Sequence, residues 1–387
     1  MNYCLADMLD DIKVLDLTHV WFGPWCTMML ADFGAEVIKI EPPWGSIGRI
    51  GRGPLIGGSS YIFHHLNRNK KDLTLNLKDP RGLAIFKELV KTSDVVVQNF
   101  SAGAMERLGL GYDVLSEINP GIIYAALSGF GQYGPYTKRA SYATIAEGMS
   151  GHTRLTGDHV DPEGPPIRMA QSYGDLGPGT MAAMSIIAAL RYRDKTGVGQ
   201  MIDVAQFDCM VAYNTAITGY LLTGLKPYEL RKKYSRVQGV GGIMSTKDGG
   251  WIQIAGNRPK ALDALKEKLG VEEIEREMAE KLVSELTRDE AVELFVKLGF
   301  PVAPIYHLDE TVEDPHLKAR DMFLEIDHLK AGKIKTVNFP VKFSKTPVEI
   351  RSAAPPLGYH NEEILKDLGY DEEQIVELTK VGVIAKG

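Results

Sequence analysis

Asp175 is the side chain best placed to do chemistry. It stands in Pro166-Ile-Arg-Met-Ala-Gln-Ser-Tyr-Gly-Asp-Leu-Gly-Pro-Gly179, just ahead of Pro178–Arg193, a stretch that predicts a strong helix. A carboxylate at that point can satisfy an orphan amide as an N-cap, and the helix dipole favours its charge. Gly174, Gly177 and Gly179 leave room around it that a cap does not require. The same dipole would hold a nucleophilic carboxylate ionised. The pattern alone leaves cap and nucleophile both open.

Other candidate motifs are weaker. Ser128-Gly-Phe-Gly-Gln-Tyr-Gly134 satisfies G-x-G-x-x-G behind the expected strand Ile122–Leu127. A dinucleotide loop must deliver its ligand's diphosphate to a helix N-terminus, yet Pro135 and Tyr136 follow here. The segment therefore reads as a glycine-rich active-site loop. His64 and His65 are adjacent and diverge, and His152, His159, His307, His316, His328 and His360 are isolated, so no metal site is expected. Arg107, and the run Arg68, Lys70 and Lys71, read as solvated surface.

The elements that must position these residues alternate. Strands are expected at Lys13–Leu17, Glu36–Ile40, Leu73–Leu77, Asp94–Gln98, Ile122–Leu127 and Met201–Val204. Helices are expected at Pro24–Phe33, Pro80–Thr92 (begun at Asp79), Leu115–Asn119 and Pro178–Arg193. Such alternation predicts an α/β fold: a Rossmann-like large domain with a parallel sheet. The texture changes after about residue 225. A basic run (Arg231, Lys232, Lys233, Arg236), the glycines Gly239, Gly241 and Gly242, a hairpin at Asp248-Gly249-Gly250 and three charged helices predict a smaller α+β domain. Two short helices near the C-terminus, Glu362–Leu368 and Glu372–Val381, lack the apolar surface to stand alone and are expected to dock on the first domain.

Composition narrows the classes further. The 387 residues are 44% hydrophobic and 24% charged, which suits a globular protein of two or three domains. Lys+Arg 44 against Asp+Glu 50 gives a net charge of -6, so no nucleic-acid or anionic-membrane partner is expected. Any anion must then meet a local basic pocket. Cys4, Cys26 and Cys209 are scattered and odd in number, and Met1–Asp11 lacks a basic apolar leader, so a cytoplasmic protein is expected. Gly at 40 residues is the compositional excess.

Together these residues resemble a known family, the class III CoA-transferases (CaiB/BaiF type), which includes formyl-CoA transferase and carnitine CoA-transferase. The segments that carry the resemblance are Val14-Leu-Asp-Leu-Thr-His-Val20 with Gly23-Pro24, Gly34–Glu41, Asn67–Lys71, Asn99-Phe100 through Glu106–Tyr112, Ser128–Pro135, the Gly174-Asp175 turn and Pro355–Gly358 with His360. The resemblance spans essentially the whole chain. It implies an acyl-CoA:carboxylate CoA-transferase in which Asp175 is the nucleophile, forming an anhydride and then an aspartyl-CoA thioester. It also implies CoA contacts at His19, Trp21, Phe22, Leu75, Asn76, Leu77, Lys78, Asn99, Phe100, Ser101, Arg107, Arg139 and Tyr142. Gly239, Gly241 and Gly242 would form a mobile loop shielding the intermediates. The coenzyme A thioester would be substrate and product, with no tightly bound cofactor and a small carboxylic acid as acceptor. The implied assembly is a ring-like monomer in an interlocked homodimer, and the division that fits it is 1–212 large domain, 213–228 linker, 229–305 small domain, 306–323 linker, and 324–387 returning to the large domain.

The sequence departs from formyl-CoA transferase at Trp21 (a glutamine there), Pro42 (an arginine), Ala143 (a glutamate) and Ser101-Ala102 (commonly Arg-Pro). Another branch of the family, the α-methylacyl-CoA racemases, is the alternative. Those enzymes carry a His-Asp pair where this chain reads Ser141-Tyr142-Ala143-Thr144.

Overall fold

The computed structural model describes residues 8–51, 53–234, 239–256 and 258–386. Cys4, residues 1–7 of the N-terminal segment and Arg236 lie outside the described residues. Six strands form one sheet: β1 (Lys13–Asp16), β2 (Glu36–Glu41), β3 (Lys70–Thr74), β4 (Val95–Gln98), β5 (Ile123–Ser128) and β6 (Gln200–Ala205). All pair in parallel, in the order β3-β2-β1-β4-β5-β6. The order reverses between β1 and β4. At such a switch point the crossovers diverge and leave a crevice outside the strands' C-terminal ends.

Five helices matter for the site: α1 (Phe22–Asp32), α2 (Pro80–Lys91), α3 (Ala143–Met149), α4 (Tyr173–Thr196) and α5 (Gln206–Tyr213). Because strand side chains alternate, each strand feeds two cores. On one face Leu15, Ile38, Leu73, Val96 and Tyr124 pack with Ile85 and Phe86 of α2. Ile364, Leu365, Leu378 and Val383 from the C-terminal segment join that core, which supplies the apolar burial their short helices lack. On the other face Val14, Val37, Val95 and Ile123 pack with Leu30 of α1 and with Ala182 and Ile186 of α4.

Three expectations need correction here. The third strand starts at Lys70 and ends at Thr74, whereas Leu73–Leu77 was the expected span. After Leu75 the chain leaves the sheet, and the Asn76 amide bonds the Val383 carbonyl instead. The basic run is also not solvated surface: Arg68 and Lys70 are 3% and 2% exposed. Arg68 forks onto Asp32, with Nη2 2.7 Å from Oδ2, and Lys70 Nζ lies 2.9 Å from Asp16 Oδ2. Finally, α4 begins at Tyr173, five residues ahead of Pro178.

The exposed side of β3 is closed by the C-terminal segment. His360 Nδ1 accepts the Asp72 amide at 3.0 Å, and Asn361 Oδ1 accepts the Thr74 amide at 2.8 Å. Edge groups that would invite another strand are thereby occupied.

The chain divides into two compact units, Met1–Pro227 with Met322–Gly387, and Tyr228–Asp321. Residues 213–227 thus belong to the first unit and 306–321 to the second. The first unit also holds a hairpin, β10 (Phe323–His328) with β11 (Gly332–Val337), in a stretch where no hairpin was expected. The second unit carries the antiparallel sheet β9-β8-β7, formed by β7 (Gly242–Ser245), β8 (Trp251–Ile254) and β9 (Val302–Pro304). Helices Pro259–Leu269, Arg276–Ser284 and Arg288–Lys297 cover it, burying Leu265, Val283 and Phe295. Gly239, Gly241 and Gly242 lie in this unit. Arg276 donates to the carbonyls of Gly241 (2.6 Å) and Ile243 (3.0 Å), and at Gly242 (φ +130) a Cβ would sit 2.4 Å from its guanidinium. No helix among the described residues is long and apolar enough to cross a membrane.

Candidate active site

A cavity of about 90 Å³ opens at the C-terminal ends of four strands. β1 leads into His19, Val20 and Trp21; β4 into Asn99; β5 supplies Ser128 and Gly129; β6 leads into Gln206. Ser141 and Tyr142 ahead of α3, and Asp175 in the first turn of α4, complete the lining.

The β1–α1 turn is held in a strained shape from several sides. Val20 has φ 67, a conformation that costs a β-branched residue about 1–3 kcal/mol. Asn99 clamps the preceding residue: its Oδ1 accepts the His19 amide and its Nδ2 donates to the His19 carbonyl, both at 2.9 Å. Beneath the turn, Asp16 Oδ1 accepts the Thr18 amide at 2.8 Å, and Lys39 Nζ donates to the Thr18 carbonyl at 2.8 Å. The His19 ring tilts against Phe100 at 5.7 Å. Burial, with Lys39 nearby, pushes its pKa below the usual imidazole range.

Asp175 is half-buried between two polar side chains. Gln206, 4% exposed at the start of α5, donates Nε2 to Asp175 Oδ1 at 2.7 Å. Glu147 of α3 is 1% exposed and accepts the Gly174 amide at 2.9 Å. Burial and the charge of Glu147 push the Asp175 carboxyl up to about 7, against the lowering effect of the Gln206 hydrogen bond.

Two expectations change at this point. Asp175 is not the N-cap: Ser172 holds that position, and Asp175 is the third residue of the helix. Nor does the helix dipole keep it fully ionised, because withdrawal from water and a second carboxylate oppose it. The arrangement is a carboxylate poised near neutrality in a cleft, with one oxygen held. Among the described residues no group of three His, Cys, Asp or Glu could hold a metal ion.

The sequence model of CoA-transferase family III matches residues 9–361. The chain belongs to this family. It is 35% identical over 97% of its length to succinyl-CoA:glutarate CoA-transferase from Homo sapiens, covering 90% of that protein. It is 33% identical to succinyl-CoA--D-citramalate CoA-transferase from Chloroflexus aurantiacus, covering 97% of this chain and 98% of that one. Among solved structures, a CAIB/BAIF family protein from Brucella suis superposes with a TM-score of 0.83 at 31% identity, covering 93% of this chain and 99% of that one. This family III protein is therefore an enzyme that transfers CoA.

In the CoA-transferase, His19, Trp21, Phe22, Asn99, Tyr142 and Asp175 meet at one cavity. Phe100 stands behind His19. Ser101, Arg107 and Arg139 are exposed in loops and a short helix, Arg139 stacked 3.9 Å over the Tyr136 ring. Leu75 is 1% exposed, so its side chain is sealed in the core and only its backbone is left to meet a ligand. Asn76 Oδ1 accepts the Lys78 amide at 3.2 Å, which turns the chain beyond β3 and leaves Lys78 exposed.

The glycines around Asp175 do not provide open space. A Cβ on Gly174 would come 2.7 Å from the Ala143 carbonyl, on Gly177 2.7 Å from the Tyr213 ring, and on Gly179 2.7 Å from the Phe22 carbonyl. They let α4 dock closely on α3, α5 and α1. Gly129 plays the same part against Ser141, whose Cβ would be 2.1 Å away. The loop after Gly129 is pinned by Asp203 Oδ2, which accepts the Gln132 amide at 2.9 Å.

Sequence reasoning missed Glu147 and Gln206. Glu147 had no local signal, being one acid in a short helix. Gln206 had one: it directly follows a strand in a parallel sheet, where ligand-facing residues concentrate. Ala143, which replaces a glutamate of formyl-CoA transferase, is buried, and the carboxylate near Asp175 comes from Glu147 four residues on.

Proposed function

We propose that this enzyme moves CoA between a thioester and a free carboxylic acid through covalent intermediates on Asp175. The observation that carries the reading is the placement of Asp175: a carboxylate with one oxygen hydrogen-bonded, at the mouth of a cavity on the switch side of a parallel sheet. The ionised carboxylate attacks the thioester carbonyl carbon, and the C–S electron pair leaves with CoA thiolate. The thiolate then attacks the aspartyl carbon of the mixed anhydride, releasing the donor acid as carboxylate and leaving an aspartyl-CoA thioester. An acceptor carboxylate attacks that thioester, the thiolate returns to the acceptor's carbonyl carbon, and Asp175 is regenerated. Every leaving group is a thiolate or carboxylate, so no step needs a proton donor, and the cavity's main duty is to exclude water.

In this reading the CoA thioester is substrate and product, and no tightly bound cofactor takes part. Lys78, Arg107 and Arg139, all exposed on the C-terminal side of the sheet, would meet the CoA phosphates. Buried free thiols at Cys26 and Cys209 suit a reducing cytoplasm. The succinyl-CoA-dependent relatives make small dicarboxylates the first acceptor class to screen.

Incubation with succinyl-CoA or another accepted acyl-CoA, followed by hydroxylamine, should convert Asp175 to a hydroxamate detectable by peptide mass. Consumption of acyl-CoA with no label on that peptide would overturn the covalent route. The interlocked homodimer implied by the family resemblance belongs to the same reading. Exposed apolar side chains such as Leu221 (75%), Leu222 (81%) and Trp44 (71%) are surface a second copy would cover. Tagged and untagged native protein should then fail to exchange subunits over days; rapid mixing would rule out interlocking.

A further inference from the structure

We propose that Gln206 is a positioning residue for the transfer: its amide N–H fixes Oδ1 of Asp175 and so assigns Oδ2 as the attacking oxygen. The inference rests on the reading of Asp175 as nucleophile and goes beyond it. Oδ1 accepts from Gln206 Nε2 at 2.7 Å, whereas Oδ2 has no hydrogen-bond partner among the described residues. Gln206 does not move freely. It is 4% exposed, it opens α5 directly after β6, and the next residue's amide, Phe207, bonds the Gly129 carbonyl at 3.0 Å. The start of α5, which carries the Gln206 side chain, is therefore anchored to the same loop that lines the cavity.

The need for such a donor follows from the neighbour on the other side. Glu147 is buried, and its charge opposes ionisation of Asp175. Glu147 spends its Oε1 on the Gly174 amide, which orders the helix turn that carries the nucleophile. A neutral donor that hydrogen-bonds the charged form offsets that repulsion without adding a cation that would pair with the carboxylate and blunt it. The two side chains thus set opposite biases on one carboxyl group.

The test uses the full-length enzyme and Gln206→Met, which keeps length and apolar volume but removes the donor. Losing a hydrogen bond to a charged group predicts a roughly 10- to 100-fold fall in kcat with CoA-thioester KM nearly unchanged. The acid limb of the rate profile should move to higher pH by about one unit or more. A substrate-free readout runs in parallel: the Asp175 carboxyl resonance, assigned by its loss in Asp175→Asn, should titrate at higher pH in Gln206→Met than in wild type. A variant that melts like wild type and leaves both the resonance and the acid limb unmoved overturns the role of Gln206. If Gln206→Met is unfolded, the milder Gln206→Asn, whose shorter amide withdraws the donor, carries the same titration. Failure of the parent reading looks different: Asp175→Asn would then retain transfer, whatever Gln206 does to the titration.

Discussion

Asp175→Asn is expected to lose CoA transfer by at least ~10⁴-fold while gaining thermal stability above neutral pH. The loss follows because an amide cannot form the anhydride, and the remaining cavity only binds. CoA-thioester binding should be nearly intact. The gain follows from the proton. Burial and Glu147 raise the folded carboxyl to about 7, against about 3.9 for an unfolded aspartate. A group with a raised folded pKa contributes stability below the unfolded value and loses it as pH rises through the folded one. Asparagine is neutral at every pH, so its advantage over wild type should be small at pH 5 and several degrees in Tm at pH 8. For the same reason wild-type turnover should fall as pH drops below about 7, where the nucleophile becomes protonated. Transfer within tenfold of wild type would sink the nucleophile, and a lower Tm at pH 8 would sink the electrostatic account.

Asp16→Ala should cost about 3–5 kcal/mol of stability, read as a shift in the urea midpoint at pH 7. Asp16 is fully buried, and its carboxylate receives Lys70 Nζ at 2.9 Å, Thr27 Oγ1 at 2.7 Å, and the Thr18 amide at 2.8 Å. Removing it leaves the buried Lys70 without its ion-pair partner and takes one of the nearby anions from the buried Lys39. Burial works against ionisation of Asp16, but Lys39, Lys70 and the two threonine hydroxyls outweigh it and hold the carboxyl well below the usual range. A depressed folded pKa contributes stability above the unfolded value, and that stability is lost as pH falls below about 4. The gap between wild type and variant should therefore narrow in acid. Adding Lys70→Met to Asp16→Ala should recover part of the loss, since a buried pair costs most when only one member remains. A single variant within about 1 kcal/mol of wild type would show that the cluster is not a keystone of the turn above it.

Much of the frame was legible locally. Alternation of period 2 in the strands and the start of α2 at Asp79 are written in neighbouring residues, and Asp79 does cap the Arg81 amide at 2.9 Å. The start of α4 was not. Its first residues, Tyr-Gly-Asp-Leu-Gly, have poor helix propensity and read as a turn. They become helical because Gly174 and Gly177 permit contact with Ala143 and Tyr213, and because Glu147 takes an orphan amide.

What the sequence by itself determined is the class of fold and the family, because each is carried by short segments whose meaning does not depend on distant partners; through the family resemblance it also singled out Asp175. The tertiary structure alone decided what those residues touch. Lys70 finds Asp16 across 54 positions, Arg68 finds Asp32 across 36, and Gln206 finds Asp175 across 31. A charge looks solvated until its counter-ion is known, and a glycine looks flexible until the backbone packed against it is seen. Whether Asp175 caps a helix or stands poised near neutrality is likewise set by burial, which is a property of the assembled cleft and not of any one segment.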